Sequence, residues 1–376
     1  MPSLAAARAE TDSLFDLIRP EALYERPIPE RHRMVFYLGH LEAFDWNLIG
    51  RYSLDLPSFH PSFDRLFAFG IDPPPGQLPS DQPADWPAVE EVASYNRRVR
   101  ETVDAVLDNV PEQLLHVALE HRLMHAETFA YILHQLAYDK KVAPPHQSCE
   151  GKGAVHATSL IPIPAGAARL GRTPQEGFGW DNEFHALTVD VPAFSASQHK
   201  VTNGEYLAFV QEGAAPPLFW VPHGGAWFYR GMWEEVPLPL DSPVYVTHDE
   251  ATAYARWRGM RLPTEAEWHR VACGSEPSDN LAFRFWDPIS VQDGGSGPRQ
   301  LIGNGWEWTS TVFAPFPGFQ PFPFYPNYSE PFFDGRHYVM KGASPRTASC
   351  FLRSSFRNWF RPSYPYVYAT FRLVTS

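Results

Sequence analysis

The strongest constraint on this chain is a change of pattern near residue 140. Before it, apolar residues recur at three- and four-residue spacing in four stretches, near 8 to 19, 30 to 52, 87 to 108 and 111 to 137, the period of a helix face. Four such faces bury one another as a bundle. Asp108-Asn109-Val110-Pro111 divides the last two stretches, with proline at a helix start, where its missing N–H is not needed. The segment 53–86, rich in Pro and Phe, reads as an ordered crossover. Beyond residue 160 the text turns to short apolar runs such as LTVDVPAF and HYVMKG, one helical stretch near 248–258 (HDEATAYARWR), and long loops. The 38 prolines and 15% aromatic content suit irregular loops pinned by rings. The expected fold class is multidomain, α followed by α+β: a helical bundle over 1–140, a linker over 141–159 where Pro, Gly and Lys replace periodicity, and a second domain over 160–376.

Composition excludes several functions. A chain of 376 residues is long enough for two cores. With 31 basic and 43 acidic residues the net charge is −12 and no basic block exists, which argues against nucleic acid or an anionic membrane as partner. Arg8, Glu10 and Asp12 interrupt the N-terminus before a signal-type apolar run forms, and no stretch reaches membrane-spanning length, so a cytoplasmic protein is expected. Cys149, Cys273 and Cys350 are odd in number and form no CxxC pair, so they are expected to be reduced and mostly packed.

The sharpest chemical signal lies in LLHVALEHRLMHAETFAYILHQL. His121 and His125 are four residues apart and project from one helix face, the spacing of a metal chelate. Two imidazoles on a helix are also common packing residues. His40, in HRMVFYLGHLEAFDWNLI, is the best third ligand, because a helix apolar nearly all round is buried and a buried imidazole needs a partner. A core histidine bonded to a backbone carbonyl is the competing reading. His32, at the start of that helix, is expected to be solvated. Three neutral imidazoles with open positions suit iron(II), and zinc is the competing metal.

From residue 160 onward run IPIPAG, VTNGEYLAF, SPVYVTHDEATAYARWRGMRLPTEAEWHRVA, GNGWEWTST, YVMKGAS and ATFRLV, in that order. The series is similar to the formylglycine-generating-enzyme, or sulfatase-modifying-factor, family, which implies a C-type-lectin-like α+β fold. Those enzymes bind copper through two cysteines after the GGS-like motif, whereas KGASPRTASCFLRS offers only Cys350. A DinB-like four-helix bundle with GHxxxF and HxxxHxE elements, fused to such a domain, instead resembles the EgtB and OvoA sulfoxide synthases and the oxygenase part of fungal ergothioneine synthases. The elements YLGHLEAF, RLFAFGIDP, DWPAVEEVASYNRRVR, EHRLMHAETFAYIL, GNGWEWTSTVFAPFPGFQPF, YPNYSEPFFDGRHYVMKGAS and SFRNWF carry this resemblance over nearly the whole chain.

The resemblance implies roles for particular residues. His40, His121 and His125 become ligands of Fe(2+), with O2 as co-substrate. A loop tyrosine serves as proton or hydrogen-atom donor, and YPNYSE points to Tyr328, with Tyr325 as the alternative. Asn358 and Trp359 line the substrate pocket, and the site lies between the two domains. Relatives that use γ-glutamylcysteine carry an Asp after the NW pair and an Arg four further on, where this chain has Phe360 and Tyr364, so free cysteine is favoured. Met124 stands where many relatives place a betaine-contacting Gln. Among Arg97, Arg98 and Arg100 one is a candidate for the donor carboxylate, with Arg98 the choice. The implied substrates are hercynine and cysteine or a related thiol, hercynine being supplied by a separate methyltransferase. Calcium near GNGWEW is a further implication. The alternatives are a selenoneine- or ovothiol-type synthase, a thiol oxygenase, or a non-catalytic binding relative.

Overall fold

The computed structural model describes residues 3–68, 77–144, 159–273, 275, 277–278, 280–291 and 297–375. Cys149 and most of 141–159 lie outside the described residues. The chain divides into two compact units, Met1–His146 and Gln147–Ser376.

The first unit is built from α1 (Leu4–Phe15), α2 (Met34–Asp45), α3 (Pro61–Leu66), α4 (Val89–Asp104) and α5 (Glu112–Gln135). Helix α1 packs on α5, and α2 packs on both α4 and α5. The helices differ as their sequences do. In α4 the buried residues Val92, Tyr95, Asn96, Val99 and Val103 recur at three and four, leaving the charged residues other than the half-buried Arg100 to solvent. In α2 every residue but Leu38 is buried. After Asp45 the backbone winds on with the wider π pitch through Ser53, and the Trp46 ring closes on Gly50, where an added Cβ would lie 2.4 Å from it. The expected helix at 30–52 is thus one α-helix and one π segment, and the crossover contains α3.

Buried charge joins α2 to α5. Arg122 on α5 bonds Asp45 at 2.7 Å and Glu42 at 2.9 Å, and all three side chains are buried. Burial alone would raise the Glu42 carboxyl, but Arg122 and Arg100 hold it below its ordinary value. Arg100 also bonds Asp12 of α1 at 2.7 Å. His32 is not solvated as expected: it is 7% exposed, because Phe36 packs on its ring at 4.2 Å and Trp86 of the crossover approaches edge-on.

Among the described residues the second unit has four small sheets. A four-stranded one orders β10 (Asn358–Phe360), β9 (Tyr338–Ala343), β8 (Gly305–Val312) and β11 (Ala369–Phe371), antiparallel except for β11 on β8. The others join β1 (Leu160–Ile163), β4 (Phe194–Ser197) and β12 (Val374–Thr375); β2 (Gly166–Leu170) and β3 (Leu187–Val191); and β5 (Trp220–His223), β6 (Ala226–Arg230) and β7 (Glu235–Pro237). Gly342 of β9 has φ +94°, and a Cβ there would sit 2.5 Å from the Leu301 carbonyl, so only glycine fits.

This unit holds α6 (Asn203–Gln211), α7 (His248–Trp257) and α8 (Glu265–Ala272), where the sequence predicts only the helix at 248–258. Each opens on a capping box: Thr202 with Glu205, Thr247 with Glu250, Thr264 with Glu267, so donors at the helix start are satisfied on both sides. On β8, Glu307 bonds Lys200 and Arg372 at 3.0 Å each, all fully buried. Cys350 is half-buried, while Cys273 is exposed rather than packed as expected.

Candidate metal centre

Helix α2 carries His40, and α5 carries His121 and His125 one turn apart. One nitrogen from each ring falls in a cluster whose atoms all lie within 4.8 Å of one another. Among the described residues it is the only group of three or more His, Cys, Asp or Glu side chains so arranged. The ring centroids are 5.2 Å (His40–His121), 4.7 Å (His40–His125) and 4.5 Å (His121–His125) apart.

Two of the rings are held by stacked phenyl groups. Phe44 stacks on His121 at 3.4 Å and 8°, and Phe36 on His40 at 4.9 Å and 20°. His40 Nδ1 lies 2.7 Å from the Phe67 carbonyl, and a carbonyl only accepts. The proton is therefore on Nδ1, leaving the Nε2 lone pair, 3.3 Å from Nε2 of His125, to face the cluster. Burial pushes the His40 imidazole down to about 4, against the Phe67 bond. Burial, then the neighbouring histidines, hold His121 and His125 well below their ordinary value. All three are neutral at pH 7, the state that ligates a cation. Nδ1 of His125 is buried with no hydrogen-bond partner among the described residues. Convergent neutral nitrogens fit a transition metal rather than a hard, oxygen-preferring one.

Met124 is half-buried on α5, between the two histidines. Arg98 is exposed and lies over the Phe59 ring at 4.3 Å. Arg100 is engaged by Asp12 and Glu42, and Arg97 reaches Ser94 at 3.4 Å.

In the second unit, Tyr328 is buried between two indoles, stacked on Trp180 at 3.9 Å and meeting Trp359 edge-on at 5.4 Å. Tyr325 is half-buried 5.6 Å from it; burial, then Asp181, push its phenol well above its ordinary range. Trp359 stacks on Phe313 at 4.2 Å and 7°. Asn358 Oδ1 accepts the Trp359 backbone N–H at 2.9 Å. Phe360 and Tyr364 stack on each other at 5.3 Å and 15°.

Sequence reasoning passed over the tetrapeptide Trp180-Asp181-Asn182-Glu183, which gathers these parts. Trp180 stacks on Tyr328, Asp181 accepts a short hydrogen bond from Ser329, and Asn182 donates to Ser329 at 3.0 Å. Glu183 takes Arg353 at 2.6 Å and Ser355 at 2.6 Å. The visible signal was two acids and an amide in a row after a Trp, ahead of a strand. Burial pushes the Asp181 carboxyl up to about 6.

The same two units are found in known proteins. Residues 3–138 match the DinB superfamily, and residues 147–286 and 289–376 match the sulfatase-modifying factor enzyme 1-like domain. The hercynine oxygenase of Mycolicibacterium thermoresistibile is 31% identical over 427 aligned residues, covering 99% of this chain and 93% of that one. The hercynine oxygenase of Mycolicibacterium smegmatis is also 31% identical, covering 99% and 97%. Ergothioneine biosynthesis protein 1 of Neurospora crassa is 27% identical over 95% of this chain, which spans 55% of that longer protein. A DinB-type bundle followed by a sulfatase-modifying-factor domain of C-type-lectin-like fold is thus the class of this molecule. Within it, the chain belongs to the EgtB-type family of hercynine oxygenases, which are oxidoreductases.

Proposed function

We propose that this enzyme is an iron(II)- and O2-dependent sulfoxide synthase that joins hercynine to a thiol, with His40, His121 and His125 holding the metal. The observation that carries the reading is the convergence of three neutral, ring-packed imidazoles within 4.8 Å in a chain of this family. His40, His121 and His125 would hold the iron(II), which would supply the redox chemistry that the side chains lack. The overall reaction removes one imidazole C–H and the thiol S–H, forms a C–S bond and an S–O bond, and releases the second oxygen atom as water.

The chain's own residues supply orientation and protons. Tyr328 is the favoured donor, because the Trp180 stack fixes its ring, and Tyr325 is the alternative. A phenol can give a proton and an electron and be regenerated. The Trp359 face suits a trimethylammonium group, and the Asn358 amide suits a carboxylate. Met124, beside the histidines, and Arg98, resting on Phe59, are the residues we assign to the betaine and the donor carboxylate. The Phe360–Tyr364 stack offers neither carboxylate nor guanidinium to a γ-glutamyl group, which favours cysteine. Calcium beside β8 belongs to the same proposal: Asn280 Oδ1 is buried with no hydrogen-bond partner among the described residues, while its amide donates to Asn304 at 2.9 Å.

The test is an aerobic assay of iron(II)-loaded protein with hercynine and either cysteine or γ-glutamylcysteine, read by mass spectrometry. We expect a coupled product heavier by one oxygen and lighter by two hydrogens than the summed substrates, formed faster with cysteine. No coupled product from an iron-replete protein would refute the synthase, and a preference for γ-glutamylcysteine would refute the donor.

A further inference from the structure

A metal-ligating imidazole is oriented by whatever its other ring nitrogen bonds, and losing that partner weakens metal affinity. For His40 the partner is a backbone carbonyl, that of Phe67, at 2.7 Å. A carbonyl is only as well placed as the backbone carrying it. Phe67 directly follows α3, a helix of six residues, too short to be rigid by itself.

Two features hold it. The Phe67 side chain is fully buried and seats on α2 at Gly39, where a Cβ would lie 2.6 Å from the ring. The residue before His40 must therefore be glycine for the phenylalanine to come this close. Within α3, Asp64 is 8% exposed and accepts from three separate parts of the unit. Its Oδ2 takes Trp46 Nε1–H at 3.1 Å and Ser58 Oγ–H at 2.5 Å, and its Oδ1 takes Tyr95 O–H of α4 at 2.8 Å. The Asp64 carbonyl adds Asn47 Nδ2–H at 3.0 Å. A carboxylate bonded to three converging donors is a strong fixed point, since charge-assisted hydrogen bonds are about twice as strong as neutral ones. Asparagine would turn an NH2 toward one of these donors.

We propose that Asp64 is a positioning residue for His40. It pins α3 so that the Phe67 carbonyl holds the His40 proton on Nδ1 and directs Nε2 to the metal. This rests on the reading of His40 as a ligand.

The test titrates metal-free, full-length protein anaerobically with iron(II) and records 15N-histidine NMR spectra of the same samples. Asp64→Asn is expected to weaken iron(II) binding by at least about tenfold and to erase the Nδ1–H tautomer signature of His40. Tyr95→Phe, which removes one donor of three, should weaken binding less, by roughly threefold. Gly39→Ala displaces the Phe67 ring without touching the carboxylate, and should reproduce the Asp64→Asn result even if that variant does not fold. Folded Asp64→Asn and Gly39→Ala proteins that bind iron within about twofold of wild type, while His40→Ala loses it, would overturn the proposal and leave the metal reading standing. If His40→Ala binds iron like wild type, the metal reading falls and the proposal with it.

Discussion

Tyr325 and Tyr328 share one loop but are held differently, one half-buried near Asp181 and one clamped between Trp180 and Trp359. If Tyr328 is the donor, Tyr328→Phe should lower the rate of sulfoxide formation by roughly a hundredfold, within the range of lost acid–base groups, and leave the iron stoichiometry unchanged. The same loss from Tyr325→Phe, with Tyr328→Phe fully active, would reverse the assignment. Asp181 gives a pH signature. Its carboxyl is raised to about 6 from an ordinary 3.8, so the folded state keeps a proton that the unfolded state has lost. The stability this contributes is fully present below 3.8 and disappears as pH rises through about 6. Relative to Asp181→Asn, the wild type should lose on the order of 2 kcal/mol between pH 4 and pH 7 in urea melts. The histidines were legible in the sequence because spacing on a helix face is a one-dimensional signal. Asp181 was not, because its partner Ser329 is remote in sequence and only the fold brings them together.

Helices α2 and α5 set the spacing of the cluster, and a buried ion pair sets the register between them. Arg122 is next to His121, and Glu42 and Asp45 are on the helix of His40. Arg122→Ala leaves the buried Asp45 without its bonded cation and Glu42 with Arg100 in its place. We expect it to cost about 3 to 5 kcal/mol in denaturant unfolding, and a cost below about 1 kcal/mol would show the pair to be dispensable. In the second unit, Thr264→Ala removes one member of a capping box and should cost about 1 kcal/mol. The motifs TNGE, THDE and TEAE open the three helices described there, so these starts were readable, although the helix expected from the apolar pattern was α7 alone. The π turn after α2 and the short α3 were not readable. The first arises where the Trp46 ring closes on Gly50, and the second is held by Asp64 bonds from distant residues.

At the scale of the whole chain, the break in pattern near residue 140 made two units legible, while the second unit's topology was legible only through its motifs. Short strands paired out of sequence order, such as β11 alongside β8, leave no local period to read. Among the described residues no helix is long and apolar enough to cross a membrane. If iron binds only the folded first unit, saturating iron(II) should stabilise that unit by mass action, by about 2.7 kcal/mol at a hundredfold excess over Kd. Chelation should reverse the gain, and His121→Ala, with one ligand fewer, should reduce it at the same iron concentration. The most direct measurement is X-ray absorption at the iron edge of the anaerobic, iron(II)-loaded protein. Scattering from three imidazole rings is expected, reduced to two in His121→Ala. A shell of oxygen ligands without imidazole scattering would contradict the three-histidine centre.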